Sequence, residues 1–416
     1  MRVGVISTRL NGTDGVSLEV EKWATVLKRM GHEMYYCAGE LGGYAAGGTL
    51  IPQLHFDHQS ILGFGQRAFG EGRSRADAAK LVDDIYETAD EIRAPLRNFV
   101  RSNHLDLIIV ENALTIPMNL PLGITLTGLI AELGLNTIAH HHDFFWERQR
   151  YQSNAILDLL DTAFPAKLPS IQHVTINSIA QNRLKDRRGI DSLVIPNVHD
   201  FATPPPPMDD YSRDFREALG LSADDLFILQ PTRVIQRKGI ELAIELVHRL
   251  DMPNKHLYIT HRATDEGVEY WRWLKREAGV MKVDLKLIDH LIGTERAKSQ
   301  GHKIYSLWDA YPHADLVTYP SIYEGFGNAL LESIYFHRLT VVNRYPVYNA
   351  DIGPLGFEFI ELDGFVDEQA VDKSKELLHA PDVVKEMTTK NYALAQEYFS
   401  LEVLEKKLGE IIKSFS

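Results

Sequence analysis

Cysteine is almost absent: Cys37 is the single one in 416 residues, which rules out an intrachain disulfide and fits a reducing, cytoplasmic setting. Long apolar runs are absent too. None approaches the roughly 18 residues of a membrane span, so no stable membrane insertion is expected. The start, Met1-Arg2-Val3-Gly4-Val5-Ile6-Ser7, has one basic residue and too short an apolar run for a signal peptide, and reads as a first strand. Positive charge is in deficit, with 44 Lys and Arg against 57 Asp and Glu and a net charge of −13. A phosphate backbone needs a basic face, and no Lys/Arg run with interleaved aromatics occurs, so nucleic acid is not expected as a partner. Asp-x-Asp, a common way to hold a divalent ion against a diphosphate, is missing. So is an intact dinucleotide fingerprint: Gly63-Phe64-Gly65 is a fragment that follows no clear strand, and it reads as loop.

What is present alternates. Apolar runs at 2–7, 33–37, 105–110, 136–140, 174–177 and 193–195 read as strands. Between them, Val20, Trp23, Leu27 and Met30 recur at spacings of three and four and predict a helix that Gly31 stops. Four consecutive prolines, 204–207, break the pattern, because neither a helix interior nor a central strand holds such a run. The alternation then restarts, with strand-like runs at 226–230, 256–260, 283–288, 314–319, 339–343 and 357–362, helical patterns at 240–250 and 328–336, and an amphipathic end at 401–415. Strands separated by helices predict an α/β fold with parallel sheets covered on both faces. The expected domains are Rossmann-like, at 1–200 and 201–399, with helix 400–416 returning to the first. Ligands of such sheets bind beyond the carboxyl ends of the strands, so a cleft between the two domains is the expected site.

Two stretches carry the chemistry. In the first, Ala314-Asp315-Leu316-Val317-Thr318-Tyr319-Pro320-Ser321-Ile322-Tyr323-Glu324-Gly325-Phe326-Gly327-Asn328-Ala329-Leu330-Leu331-Glu332-Ser333 reads as strand, turn and helix. Glu324 stands in the turn and Glu332 about one helical turn inside. Gly325 and Gly327 allow close backbone approach to a ligand, and a helix opening near Asn328 offers amides to an anion. A carboxylate accepts hydrogen bonds from two hydroxyls of a sugar or ribose. In the second stretch, Arg233-Val234-Ile235-Gln236-Arg237-Lys238-Gly239 follows the first strand of the second half, and Arg233 and Lys238 flank its loop. Two cations there can stabilise a leaving diphosphate, each contact at ~4 Å and an effective dielectric of ~20 contributing about 4 kcal/mol before desolvation.

Together these stretches resemble the retaining GT-B glycosyltransferases of family 4, the group that includes sucrose and sucrose-phosphate synthases. The family's Glu-x7-Glu motif corresponds to Glu324 and Glu332, and its Arg-x4-Lys clamp to Arg233 and Lys238. Pro196-Asn197-Val198-His199-Asp200 is similar to its Pro-Asn-Gly-Val-Asp junction without the glycine. The resemblance is strong over about 226–345. It implies a GT-B fold, two Rossmann-like domains facing each other across a cleft. It also implies a hexosyltransferase that keeps the anomeric configuration, needs no metal or other cofactor, and uses a nucleotide-diphosphate sugar as donor substrate.

The same resemblance assigns roles. Glu324 contacts the donor hexose, and Gly325, Phe326 and Gly327 present amides to it. Arg233 and Lys238 hold the diphosphate, Ala329 and Leu330 offer amides to a phosphate oxygen at the helix start that Asn328 opens, and Glu332 takes the ribose. Gly15 lies in the glycine loop Asn11-Gly12-Thr13-Asp14-Gly15, against donor and acceptor. The family's sugar-contacting histidine falls within Ala139-His140-His141-His142-Asp143 and is placed at His142, with His140 and His141 as alternatives. A zinc site on His140 and His142 needs at least one more placed ligand, so no metal ligands are assigned. The base-binding region is expected near 289–293, where nothing separates GDP-mannose from UDP-glucose or an ADP-sugar. The expected acceptor is small and hydroxylated, such as a sugar, a glycerate-type acid or a polyol, as in compatible-solute synthesis. A homo-oligomer is compatible with all of this.

Overall fold

The computed structural model describes residues 1–12, 15–70, 75–262, 267–299 and 301–415. The chain divides into two compact units, Met1–Asn197 with Leu401–Ser416, and Val198–Ser400. Each is built on its own parallel sheet.

In the first unit the strands are β1 (Arg2–Ser7), β2 (Glu33–Ala38), β3 (Thr49–Leu50), β4 (Leu107–Glu111), β5 (Thr137–His141), β6 (Ile171–Thr175) and β7 (Ser192–Val194). Their order across the sheet is β3-β2-β1-β4-β5-β6-β7, and every pairing is parallel. β4 and β5 are buried throughout, as strands covered on both faces must be. Helix Gly15–Arg29 buries Val20, Trp23 and Leu27 on one face, at the spacing that its sequence announces. The final helix, Leu401–Ser414, belongs to this unit and buries Leu401, Leu404, Leu408, Ile411 and Ile412. Its Lys407 Nζ donates to the Val194 carbonyl at 2.9 Å.

The second unit carries β8 (Leu226–Arg233), β9 (Lys255–His261), β10 (Asp284–Leu287), the short β11 (Ile292–Gly293), β12 (Ala297–Ser299) and β13 (His302–Ser306), and then β14 (Leu316–Tyr319), β15 (Thr340–Asn343) and β16 (Ile360–Leu362). The main sheet runs β10-β9-β8-β14-β15-β16, with a separate three-stranded sheet β11-β13-β12. Its core is aliphatic, centred on Ile228, Val247, Leu257, Ile259, Leu316 and Val341.

Several local expectations need correction. Gly63-Phe64-Gly65 is not loop but the middle of helix Gln59–Phe69, whose Ile61, Phe64 and Ala68 are buried. Each glycine weakens a helix by roughly 1 kcal/mol relative to alanine, and three buried apolar side chains on one face outweigh two of them. The strand expected at 174–177 lies earlier, at β6, because Asn177 caps the next helix by accepting from the Ala180 amide at 2.7 Å. The strand at 357–362 begins only at Ile360. β3 and the small sheet were not foreseen, since two- and three-residue strands leave no period to read. The prolines at 204–207 carry no regular secondary structure. Thr13 and Asp14 of the glycine loop lie outside the described residues.

Candidate functional site

The order of the second sheet turns back between β8 and β14. In an open parallel sheet that crevice, beyond the carboxyl ends, is where a ligand is received. The loops after these two strands are knitted together. The Ile322 amide donates to the Arg237 carbonyl at 2.8 Å. Gly239 makes the approach possible: its φ is 58°, and a Cβ there would stand 2.3 Å from the Pro320 carbonyl oxygen. Only glycine meets both conditions.

This contact places Glu324 of one loop against two cations of the other. Lys238 Nζ forms a short ion pair with Glu324 Oε1, and Arg237 Nη1 lies 2.8 Å from Oε2. The same guanidinium nitrogen donates to the Tyr323 carbonyl at 3.1 Å. Glu324 and Lys238 are both buried. Burial works against the Glu324 charge, but Lys238 and Arg237 outweigh it and hold the carboxyl at about 2. Burial lowers the Lys238 ammonium from its ordinary value, and Arg237 and Arg233 push the same way against the pull of Glu324. Lys238 Nζ also stands 5.5 Å from the centre of the buried Tyr319 ring.

Arg233 ends β8 and is exposed. It makes no ion pair among the described residues, and its charge bears on Lys238 and on His261. Burial first, then Arg233, lowers the His261 imidazole. Positive charge thus gathers at the end of β8, with one guanidinium open to an anionic ligand.

The loop continues into helix Asn328–Tyr335. Gly327 has φ 142°, and a Cβ there would come within 2.8 Å of the Tyr345 hydroxyl. That hydroxyl donates to the Phe326 carbonyl at 2.5 Å, while the Phe326 ring packs edge-on against Phe399. The loop is therefore pinned from below, with Gly325 partly accessible. Of the two amides expected at a phosphate oxygen, that of Leu330 already donates to the Gly327 carbonyl at 3.0 Å. The Tyr311 hydroxyl donates to Glu332 Oε2 at 3.0 Å, orienting that carboxylate. Asp289, in the expected base-binding region, pairs with Arg262 at 2.9 Å.

His142 and Gly15 belong to the first unit. Gly15 opens helix Gly15–Arg29. His142 follows β5, and its amide donates to Asn112 Oδ1 at 3.2 Å. Its Nε2 lies 3.2 Å from Glu111 Oε2, and His140 Nδ1 lies 3.0 Å from the same oxygen. Burial opposes the Glu111 charge, but the two imidazoles outweigh it and the carboxyl sits at about 2. Glu111, His140 and His142 are spaced as metal ligands would be. His141 points elsewhere: its Nδ1 meets Thr115 Oγ1 at 2.5 Å and its Nε2 meets His173 Nδ1 at 2.9 Å. Both rings are fully or nearly buried, as is that of His140.

The sequence reading assigned no role to Arg237, Tyr311, Tyr345 or Glu111. Arg237 was visible inside the Arg-x4-Lys spacing, and Glu111 as a carboxylate closing an apolar strand. The tyrosines reach the site from other segments, and no local spacing announces them.

Comparison with known proteins identifies the family and the fold. A family model described as "Glycosyl transferases group 1" matches residues 212–393, and two relatives match almost end to end, so the chain belongs to the group 1 glycosyltransferases, enzymes that transfer a sugar from a donor. Both relatives are mannosylglucosylglycerate synthases. That of Petrotoga mobilis is 32% identical, over 98% of this chain and 100% of the relative. That of Thermotoga maritima is 33% identical, over 98% and 99%. The fold is GT-B. Sucrose-phosphate synthase from Thermosynechococcus elongatus superposes with a TM-score of 0.68 at 13% identity, over 99% of this chain and 98% of that one. Anabaena HepE in complex with UDP gives 0.65 at 14%, over 99% of each. No helix among the described residues is long and apolar enough to cross a membrane.

Proposed function

We propose that this chain is a retaining hexosyltransferase that moves mannose or glucose from a nucleotide-diphosphate sugar to a hydroxyl of a small soluble acceptor. The observation that carries the reading is the group at the ends of β8 and β14. There Glu324 is ionised and buried between Lys238 and Arg237, and Arg233 stands exposed beside them. Such a group offers an anion-binding guanidinium next to a fixed carboxylate, which suits a molecule with phosphate at one end and sugar hydroxyls at the other. The names of the two relatives favour mannose as the hexose and a glucosylglycerate-type acceptor.

In the proposed step the acceptor oxygen bonds to the anomeric carbon on the face from which the diphosphate leaves. The bond from that carbon to the phosphate oxygen breaks, and the acceptor proton passes to the departing diphosphate. Arg233 and Lys238 stabilise the charge that develops there, taking the place of a divalent ion. Glu324 holds the hexose, the loop amides of Gly325, Phe326 and Gly327 meet its hydroxyls, and Glu332 takes the ribose. His142 and Gly15 keep the donor-contacting roles that the resemblance gives them.

A thermal-shift screen of GDP-, UDP- and ADP-sugars identifies the donor, and turnover with that donor then tests the clamp. Lys238→Ala is expected to lower turnover at saturating donor by at least ~10²-fold, the usual loss for one transition-state donor. Near-normal turnover would contradict the assignment. A phosphorylase would instead release sugar phosphate from a glycoside given inorganic phosphate, with no nucleotide involved.

A further inference from the structure

The carboxyl ends of β4 and β5 hold a cluster that the proposed transfer leaves mostly unused. Glu111 ends β4, His140 lies within β5 and His142 follows it. Glu111 Oε2 stands 3.0 Å from His140 Nδ1 and 3.2 Å from His142 Nε2, and the three ligand atoms lie within 4.8 Å of one another. A tetrahedral ion with bonds of about 2.0–2.1 Å keeps its ligand atoms about 3.3 Å apart. The two ring nitrogens therefore already stand off the carboxylate as ligands of one ion would. Two histidines and a glutamate are a set that zinc takes, with a fourth position left for another ligand. The side chains of Glu111 and His140 are 1% exposed and that of His142 is 10% exposed, so little bulk water reaches them.

Two buried polar atoms beside the cluster have no hydrogen-bond partner among the described residues. Glu19, on helix Gly15–Arg29, is fully buried, and its Oε2 has no hydrogen-bond partner among the described residues. Its other oxygen takes Lys22 at 2.6 Å, and its negative charge bears on His142. Trp23, one helical turn further, stacks on His140 with ring centres 4.3 Å apart, so this face of the helix packs against the cluster. The second orphan is His140 Nε2, buried and also without a partner among the described residues. Hydrogen bonds from two imidazoles to Glu111 account for neither orphan. A divalent cation held by Glu111, His140 and His142 would add positive charge near the Glu19 carboxylate, of which one oxygen is paired with Lys22.

We propose that Glu111, His140 and His142 bind one divalent transition-metal ion of the zinc class. The ion ties the ends of β4 and β5 together and leaves Nδ1 as the remaining nitrogen of His142. It uses residues of the first unit alone, whereas the proposed diphosphate clamp uses residues of the second, so direct binding tests it whether or not the proposed reaction holds.

The test uses full-length, tag-free protein, stripped with a chelator, dialysed, and titrated with Co2+ and Zn2+. The expected result is one Co2+ per chain with the visible absorption of a four-coordinate ion, displaced by one Zn2+, and a melting temperature that rises with zinc. Glu111→Gln and His142→Asn are each expected to weaken binding by at least ~10-fold. If Glu111→Gln does not fold, His142→Asn, at the accessible edge, carries the same comparison. Absence of the cobalt band, or one-to-one binding that the folded variants retain, overturns the proposal. The cluster is then a carboxylate hydrogen-bonded to two imidazoles, and any ion sits elsewhere among the 17 histidines.

Discussion

Removing either partner of the Glu324–Lys238 pair should have unequal effects, and the inequality follows from Arg237. In Glu324→Gln the Lys238 ammonium stays buried with no anion, facing two guanidiniums that already push it toward neutrality. Breaking a buried pair in this way costs ~3–5 kcal/mol. In Lys238→Met the Glu324 carboxylate keeps Arg237 at 2.8 Å, so the loss is that of one charged hydrogen bond, ~1.5–3 kcal/mol. The double variant removes both charges and leaves Arg237, whose side chain is 41% exposed, with its bond to the Tyr323 carbonyl and with solvent. It should be less destabilised than Glu324→Gln alone, with a coupling near the upper end of ~0.5–3 kcal/mol.

A whole-chain melt is a poor assay for a protein of two units, since neither unit need unfold with the other. Hydrogen exchange on peptides spanning β8 and β14 reads the opening free energy within the second unit. The pH dependence has a definite sign. The Glu324 carboxyl is held at about 2 against 4.5 when free, so its contribution of about 3 kcal/mol is fully present above 4.5 and is lost as pH falls through 2. Exchange free energies that add without coupling, or Lys238→Met weakening β14 more than Glu324→Gln does, would refute the reasoning.

Other expectations concern ligand and backbone. Glu332→Ala should raise the donor Michaelis constant by ~5- to 150-fold with turnover little changed, the effect of leaving ribose hydroxyls unpaired. Tyr311→Phe removes only the hydroxyl that orients Glu332 and should raise it by ~2- to 10-fold; a larger effect on turnover than on the Michaelis constant would argue against ribose binding there. Turnover measured with no added Mg2+ or Mn2+ should match turnover with them, and a strict requirement would overturn the cationic clamp. Gly239→Ala should lower both turnover and stability, with ~1–2 kcal/mol from the left-handed backbone alone and more from the Pro320 carbonyl in its way; a variant that melts and turns over as the parent does would show that the loops need no such approach.

How much of this was legible in the sequence depended on whether a feature is local. Buried parallel strands such as β4 announce themselves as unbroken apolar runs, and the helix at Gly15–Arg29 by its spacing. The Glu324–Glu332 turn and the Arg233–Lys238 loop each lie within a dozen residues, so spacing marked them as candidates and the resemblance to the glycosyltransferases gave them roles. What spacing does not carry is the pairing between them. That Glu324 meets Lys238 and Arg237, 86 and 87 residues away, depends on β8 and β14 being neighbours, and β9 to β13 intervene in the chain. The same holds in the first unit. His140 and His142 share one side of a strand end, a fact two-residue alternation predicts, yet the carboxylate between them comes from β4, 29 and 31 residues earlier. In both units the missing partner is supplied where the strand order turns back or beside it, because a parallel sheet must send the chain across a helix before a neighbour can form. A sequence reading that finds one half of a charged pair at the end of a buried strand should therefore look for the other half at the end of another buried strand, not nearby in the chain.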